Sequence, residues 1–189
     1  MDPDDAADLL GELPEDERSR LLDAMEADEA GPVRRLLTYE AATAGGLMTP
    51  EPVVMPGTAT VAEALALLRS RQLPSAIAAQ VFVVKPPVSV PTGRFLGAVG
   101  FQRLLRENPS EPLEHCVPER PEYLPPHTPQ LDVAARLAAY DMVAVAVCDG
   151  AQRLIGAVTI DDVMDHMLPR GWRRRLAQRA EDFATVERT

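Results

Sequence analysis

The sequence predicts a mixed α/β (α+β) fold: a β-α-β-β-α unit used twice, preceded by a short α-helical segment. Two echoes carry the repeat. The string Phe95-Leu96-Gly97-Ala98-Val99-Gly100-Phe101-Gln102-Arg103-Leu104-Leu105 returns as Leu154-Ile155-Gly156-Ala157-Val158-Thr159-Ile160-Asp161-Asp162-Val163-Met164. Each is an apolar strand with an internal Gly that runs into an amphipathic helix. Upstream, Thr60-Val61-Ala62-Glu63-Ala64-Leu65 is echoed by Pro129-Gln130-Leu131-Asp132-Val133-Ala134. A unit used twice packs on its own copy, because one unit alone leaves its apolar face open. The third observation is the different character of residues 1–45, which read as short helices.

Asp2-Pro3-Asp4-Asp5 is a helix start, with Pro early and acids in the first turn where the helix dipole favours them. Leu9, Leu10 and Leu13 supply its apolar face. Pro14-Glu15-Asp16-Glu17 begins a second helix with Leu21, Leu22 and Met25 inward. A third spans roughly Gly31 to Tyr39, with Val33, Leu36 and Leu37 inward. Helices this short need tertiary support. Gly45-Gly46 is read as a turn at a boundary.

The first copy then has a strand near Val53–Met55, a helix from Thr60 to Arg71 and a strand at Val81–Val84. The connection Lys85 to Arg94 holds three prolines and leads into a strand at Phe95–Val99 and a helix from Phe101. The second copy has a strand near Glu122–Leu124, a helix at Pro129–Tyr140, strands at Val143–Val147 and Leu154–Val158, and a helix from Ile160 to Met167. Its hairpin is tight, through Asp149-Gly150. The first copy has the longer connection.

The chain has 189 residues, and 46% of them are hydrophobic, enough for one or two small cores. No stretch approaches the roughly 18–20 apolar residues needed to span a bilayer. Its net charge of −10 is uneven: residues 1–45 carry thirteen acids against four arginines. Such a segment repels nucleic acid and attracts cations. Cys116 and Cys148 have no metal-ligand spacing, and His115, His127 and His166 are scattered; the thiols read as those of a cytosolic protein. No Ser/His/Asp or Cys/His set and no phosphate-cradling Gly loop is legible, so the reading is not an enzyme. The last segment, 169–189, places Arg170, Arg173, Arg174, Arg175 and Arg179 around Trp172 and Leu176, a basic helix or tail that reads first as a solvated terminal helix and also suits an anionic membrane or an acidic partner.

The repeated unit looks like a tandem CBS-domain pair, and residues 2–168 resemble the cytosolic region of the MgtE-type magnesium transporters. The carrying residues are Asp2-Pro3-Asp4-Asp5-Ala6-Ala7-Asp8, Ala44-Gly45-Gly46-Leu47-Met48-Thr49-Pro50-Glu51, Ala139-Tyr140-Asp141 and Gly156 to Asp165. The resemblance divides the chain into 1–45, the C-terminal part of an MgtE-type N domain; 46–108 and 109–168, two CBS domains; and 169–189. It implies a cytoplasmic magnesium-sensing regulatory module, in a transporter or in a pore-less relative, with a membrane pore domain as partner. Mg²⁺ bridging the helical segment and the CBS pair would favour a compact, closed state. The implied metal positions are Asp4, Asp8, Gly46, Asp132, Asp141, Asp162 and Asp165. Gln130 stands where the family often has an acid. A homodimer through the CBS pair is expected by the same resemblance.

Residue spacing agrees with part of this. Asp4 and Asp8 are four apart, and Asp162 and Asp165 three apart, so each pair shares a helix face. Mg²⁺ takes oxygen ligands, keeps several waters, and needs only one or two carboxylates per site. First-turn acids also serve as caps and dipole partners, which alone accounts for Asp4, Asp5, Asp161 and Asp162. The rival ligand is an adenine nucleotide, ATP or AMP, because Thr159-Ile160-Asp161-Asp162 fits the Thr-x-x-Asp pattern of CBS pairs through Thr159 and Asp162. Gly100-Phe101-Gln102-Arg103 in the first copy does not fit. A structural dimerisation adaptor is the third reading.

Overall fold

In a computed structural model, described for residues 2–69, 73, 75–169 and 172, the chain alternates two buried sheets with helices on their outer faces. The N-terminal helices are α1 (Pro3–Gly11), α2 (Glu15–Ala24) and α3 (Ala27–Leu36), followed by the one-turn α4 (Ala44–Leu47). The first repeat contains β1 (Val54–Pro56), α5 (Val61–Leu68), β2 (Gln80–Val84), β3 (Phe95–Gly100) and α6 (Phe101–Leu104). A short α7 (Leu113–Cys116) leads into the second repeat: β4 (Tyr123–Leu124), α8 (Gln130–Ala139), β5 (Ala144–Cys148), β6 (Leu154–Thr159) and α9 (Ile160–Met167). The expected basic helix at 169–189 lies largely outside the described residues.

Each sheet is built the same way. The first has order β1-β2-β3 and the second β4-β5-β6; in each, the first strand pairs parallel and the third antiparallel with the central one. Apart from Gln80 at the start of β2, the central strands are apolar because both of their faces are buried. In β2, Val81 and Val83 join the core under α5 and α6, while Phe82 and Val84 point to the layer between the sheets. In β5, Val145 and Val147 join the core under α8 and α9, while Ala144, Ala146 and Cys148 meet Phe82, Val84 and Phe95 between the sheets. The amide of Gln80 donates to the Ala144 carbonyl across that layer at 3.0 Å.

The glycines inside β3 and β6 mark where a linker crosses each strand. A Cβ on Gly97 would sit 2.8 Å from Val117, and one on Gly156 would sit 2.6 Å from Met48. The crossing at Gly156 is hydrogen-bonded both ways between Thr49 and Ala157.

The helical segment has no core of its own size. Ala6, Ala7, Leu10, Leu22, Val33 and Leu36 belong to the same apolar cluster as Leu47, Val133, Leu137, Val145, Val158 and Val163. The docked segment and the second repeat therefore share one core, and their contact is continuous with it. Two inward assignments are corrected here. Leu9 and Leu21 are 59% and 49% exposed, because the faces that α1 and α2 bury are centred on Leu10 and Leu22. Gly45 and Gly46 lie not in an open turn but inside α4, where both are buried. Any Cβ on Gly46 would collide with the Glu40 carbonyl and the Ala41 backbone, so the chain can fold back on itself only with glycine there.

Candidate functional site

Two acidic helix starts far apart in the sequence, those of α1 and α9, meet. On α1, Asp4 and Asp8 flank the buried Ala7, so both carboxylates border the face that packs inward. On α9, Thr159 caps the helix: its hydroxyl accepts from the Asp162 backbone N–H and donates to the Asp162 carboxylate. That reciprocal cap fixes Asp162 on the face turned toward α1.

The Asp4 carboxylate has one oxygen, Oδ1, buried without a hydrogen-bond partner. Burial drives its pKa from 3.8 up to about 6, and the nearby charges of Asp162, Asp5 and Asp2 push the same way. Asp162 is raised as well, again chiefly by burial, with Asp161 and Asp5 adding to the rise and the Thr159 hydroxyl opposing it. Two carboxylates that repel each other in a partly dry contact form a site of unmet negative charge.

Beside them the junction is bridged. His166 on α9 places Nε2 3.1 Å from Asp8 Oδ2, and its Nδ1 lies 3.1 Å from the Asp162 carbonyl oxygen. Both partners are acceptors, so both ring nitrogens donate and the imidazole carries a proton on each. The Asp8 carboxylate accordingly raises the His166 pKa to about 8 against the opposing effect of burial. Asp165 accepts a hydrogen bond from Trp172 Nε1 at 3.1 Å. An open cleft of about 830 Å³ runs along this junction, lined among others by Asp5, Asp8, Gly46, Asp165, His166 and Trp172.

Of the seven metal positions that the resemblance implies, Asp4 and Asp162 face each other electrostatically, and Asp8, Gly46 and Asp165 line the cleft. Asp132 and Asp141 stand at the two ends of α8, exposed, and neither lines it. Asp141 has φ 51°, the left-handed conformation that closes a helix end and that Asp tolerates better than most residues. Among the described residues no three His, Cys, Asp or Glu side chains gather tightly enough to cage a metal. The donors present, carboxylate oxygens with an orphaned Oδ1, fit a hard cation that keeps part of its water shell.

His166 and Trp172 escaped the sequence reading as site residues. A signal for His166 exists: it lies one turn beyond Asp162 on the same helix face. Trp172, read from the sequence as part of the basic tail, stands seven residues beyond Asp165 and donates back to it.

The Thr159 side of the second repeat offers a different cavity. Thr49, Gln80, Phe82, Ala144 and Thr159 line a space of only about 10 Å³ between the sheets. Small-molecule sites typically enclose about 300–1,000 Å³. Thr159 and Asp162, the nucleotide-pattern pair, are engaged with each other in the helix cap.

Comparison with known proteins places this architecture. Residues 1–42 match the MgtE intracellular N domain, and residues 114–169 match the CBS domain. The magnesium transporter MgtE of Thermus thermophilus is 32% identical over 165 residues, covering 86% of this chain and 36% of the relative. The chain thus spans about a third of the length of the curated relatives it matches. The crystal structure of the soluble part of a magnesium transporter superposes with a TM-score of 0.78 at 30% identity, over 88% of this chain and 63% of the other. The cytosolic domain of the Mg²⁺ channel MgtE in complex with ATP gives 0.74 at 32% identity, over 87% and 66%.

Proposed function

The chain belongs to the MgtE-type magnesium transporter family through its cytosolic region, an N-domain segment joined to a CBS pair, and from that membership we propose that it is a magnesium-responsive regulatory module at the cytoplasmic face of a membrane pore. The observation that carries the reading is the buried, unpartnered Oδ1 of Asp4 set against Asp162. When Mg²⁺ is scarce, repulsion between these helix starts opposes docking of the helical segment. When Mg²⁺ is present, Asp4, Asp8, Asp162 and Asp165 would hold it, with the Gly46 backbone beside them, and the compact state is favoured. Mg²⁺ supplies the positive charge; the protein supplies the oxygens and fixes their spacing through the Thr159 cap and the α4 turn. The outer positions Asp132 and Asp141 are proposed as weaker cation contacts.

Weak sites suit this role. A millimolar dissociation constant corresponds to about −4 kcal/mol, and a nearly complete two-state switch needs about 5.5 kcal/mol of differential binding. More than one cation must therefore act together. No helix among the described residues is long and apolar enough to cross a membrane; a membrane pore domain or membrane protein is the partner proposed for it. Apolar side chains at matching places in the two repeats, Phe101 on α6 and Leu105 just after it, and Ile160 and Met164 on α9, are exposed and suit a homodimer. Adenine nucleotide is the weaker reading, because the Thr159 cleft is nearly filled and its pattern residues serve as the cap.

The test is small-angle scattering of the purified chain across a Mg²⁺ titration, with Na⁺ at matched ionic strength. Contraction specific to Mg²⁺, weakened by Asp4→Asn and by Asp162→Asn, supports the reading. An envelope that ignores Mg²⁺, or variants that contract as the parent does, overturns it.

A further inference from the structure

The docked helical segment is gripped at both ends by protein cations, and one grip uses an element with no counterpart in the other repeat. Between β5 and β6 the second repeat turns in a tight hairpin held by Asp149, whose carboxylate accepts from the Ala151 and Arg153 backbone. Between β2 and β3 the first repeat instead extends residues 85–94 outward. That loop is stitched to the second repeat: Thr92 is 1% exposed, donates its backbone N–H to the Leu154 carbonyl at 3.0 Å, and accepts from the Leu154 N–H at 3.1 Å. Its base is closed by Lys85 N–H donating to the Arg94 carbonyl, and Gly93 N–H donates to Pro87. A loop so fixed presents the Val90 carbonyl at a set position. Arg35, in the last turn of α3, donates to that carbonyl from Nη1 at 3.1 Å across 55 residues of sequence. At the other end of the segment, His166 pairs with Asp8.

We propose that the 85–94 loop, through Arg35, and His166, through Asp8, form a latch that holds the helical segment on the CBS pair independently of metal and thereby lowers the Mg²⁺ concentration needed for closure. The effect on the Mg²⁺ threshold rests on the magnesium reading above; the latch itself does not. Neither contact alone is strong. A solvent-exposed charge pair shifts an equilibrium by about two- to fivefold at most, but the two grips hold different helices of the segment, α3 and α1, and act together on one docking equilibrium.

The experiment places spin labels at Ser19→Cys on α2 and Gln102→Cys on α6, both exposed positions; the native cysteines are buried. Distance distributions are recorded at one fixed pH, in EDTA and across Mg²⁺, for the labelled parent, for Arg35→Ala, His166→Gln and the double variant, and for Arg35→Lys and His166→Lys as charge-keeping controls. The docked-to-undocked ratio in EDTA should fall about two- to fivefold in each single variant and about tenfold in the double, with partial recovery in the lysine controls. The Mg²⁺ midpoint should rise by a matching factor in Arg35→Ala, whose contact with Val90 uses none of the carboxylates proposed to hold Mg²⁺. An unchanged docked fraction in EDTA overturns the latch. If that fraction falls while Mg²⁺ restores nothing in any protein, the latch stands and the magnesium reading fails. Unchanged circular dichroism of the variants excludes unfolding as the cause.

Discussion

Thr60 with Glu63 and Thr159 with Asp162 are the same device in two places. Each Thr opens a helix, accepts from the backbone N–H three residues on, and binds the carboxylate at that position. Their carboxylates nevertheless shift in opposite directions. Glu63 is fully exposed and its pKa is lowered by the Thr60 backbone and hydroxyl. Asp162 receives similar help from Thr159, yet burial beside α1, with Asp161 and Asp5 nearby, pushes it up. A cap satisfies an acid that has water around it. The same cap does not satisfy an acid pressed against a second acidic helix. That difference is the ground for proposing Asp162, and not Glu63, as a cation contact.

The largest expected break in this comparison comes from Gly46→Val. A branched side chain there collides with the Glu40 and Ala41 backbone, so α4 must shift and α1 leaves α9. Thermal unfolding should show a loss of about 1–3 kcal/mol, the range for overpacking. The Asp162 pKa should then drop toward that of an exposed capping acid. A variant of full stability with Asp162 still raised would show that α1 is not the cause of the shift.

Thr159→Ala ranks next, costing about 1–2 kcal/mol as a lost cap, and it should weaken Mg²⁺-driven contraction because Asp162 loses its fixed orientation. Thr60→Ala should leave the Mg²⁺ midpoint where it is. Equal shifts of that midpoint in the two variants, read by scattering, would make the caps equivalent and the comparison empty.

Asp4→Asn sharpens the contrast by reversing sign with conditions. In EDTA the variant should be more stable than the parent, by roughly 1 kcal/mol, since a buried unpaired charge is gone. With Mg²⁺ that advantage should vanish, because the parent gains from the cation and the variant does not. A stability ranking that is the same in both buffers argues against a metal-neutralised Asp4.

The smallest effect is in pH. Asp4 is raised from 3.8 to about 6, so between those values the folded state holds more protons than the unfolded state, and its contribution falls as pH rises. The Glu63 cap runs the other way: its contribution is present above the ordinary 4.5 and is lost as pH falls through the lowered folded value. His166, raised from 6.5 to about 8 by Asp8, contributes fully below 6.5 and loses its contribution as pH rises through 8. Amide exchange should therefore protect α1 better at pH 5 than at pH 8 in EDTA, while α5 shows no such gain.

Much of this is legible in the sequence alone, for reasons of chemistry. Strands such as Ala144–Cys148 and the capped helix at Ile160–Met167 announce themselves because apolar runs and caps are local signals. Leu9 and Leu21 misled because an acidic helix with several leucines has more than one plausible apolar stripe, and only the partner surface selects Leu10 and Leu22. The α4 turn was invisible because Gly45-Gly46 has poor helix propensity; the folded-back chain, not propensity, makes it helical. At the site, the pairing of Asp4 with Asp162 was within reach through the resemblance. The bridge from His166 to Asp8, 158 residues away, and the grip of Arg35 on Val90 were not, since no spacing rule links residues so distant in sequence.

The central claim is that Asp4 carries a charge the fold leaves for a cation. Carbon-detected NMR of the Asp and Glu carboxyl groups, titrated with pH in EDTA and again in saturating Mg²⁺, reads it directly, with Glu63 as the internal control. The account predicts an Asp4 pKa near 6 in EDTA that falls below 3.8 with Mg²⁺, while Glu63 stays low in both. An Asp4 value unmoved by Mg²⁺ would contradict it.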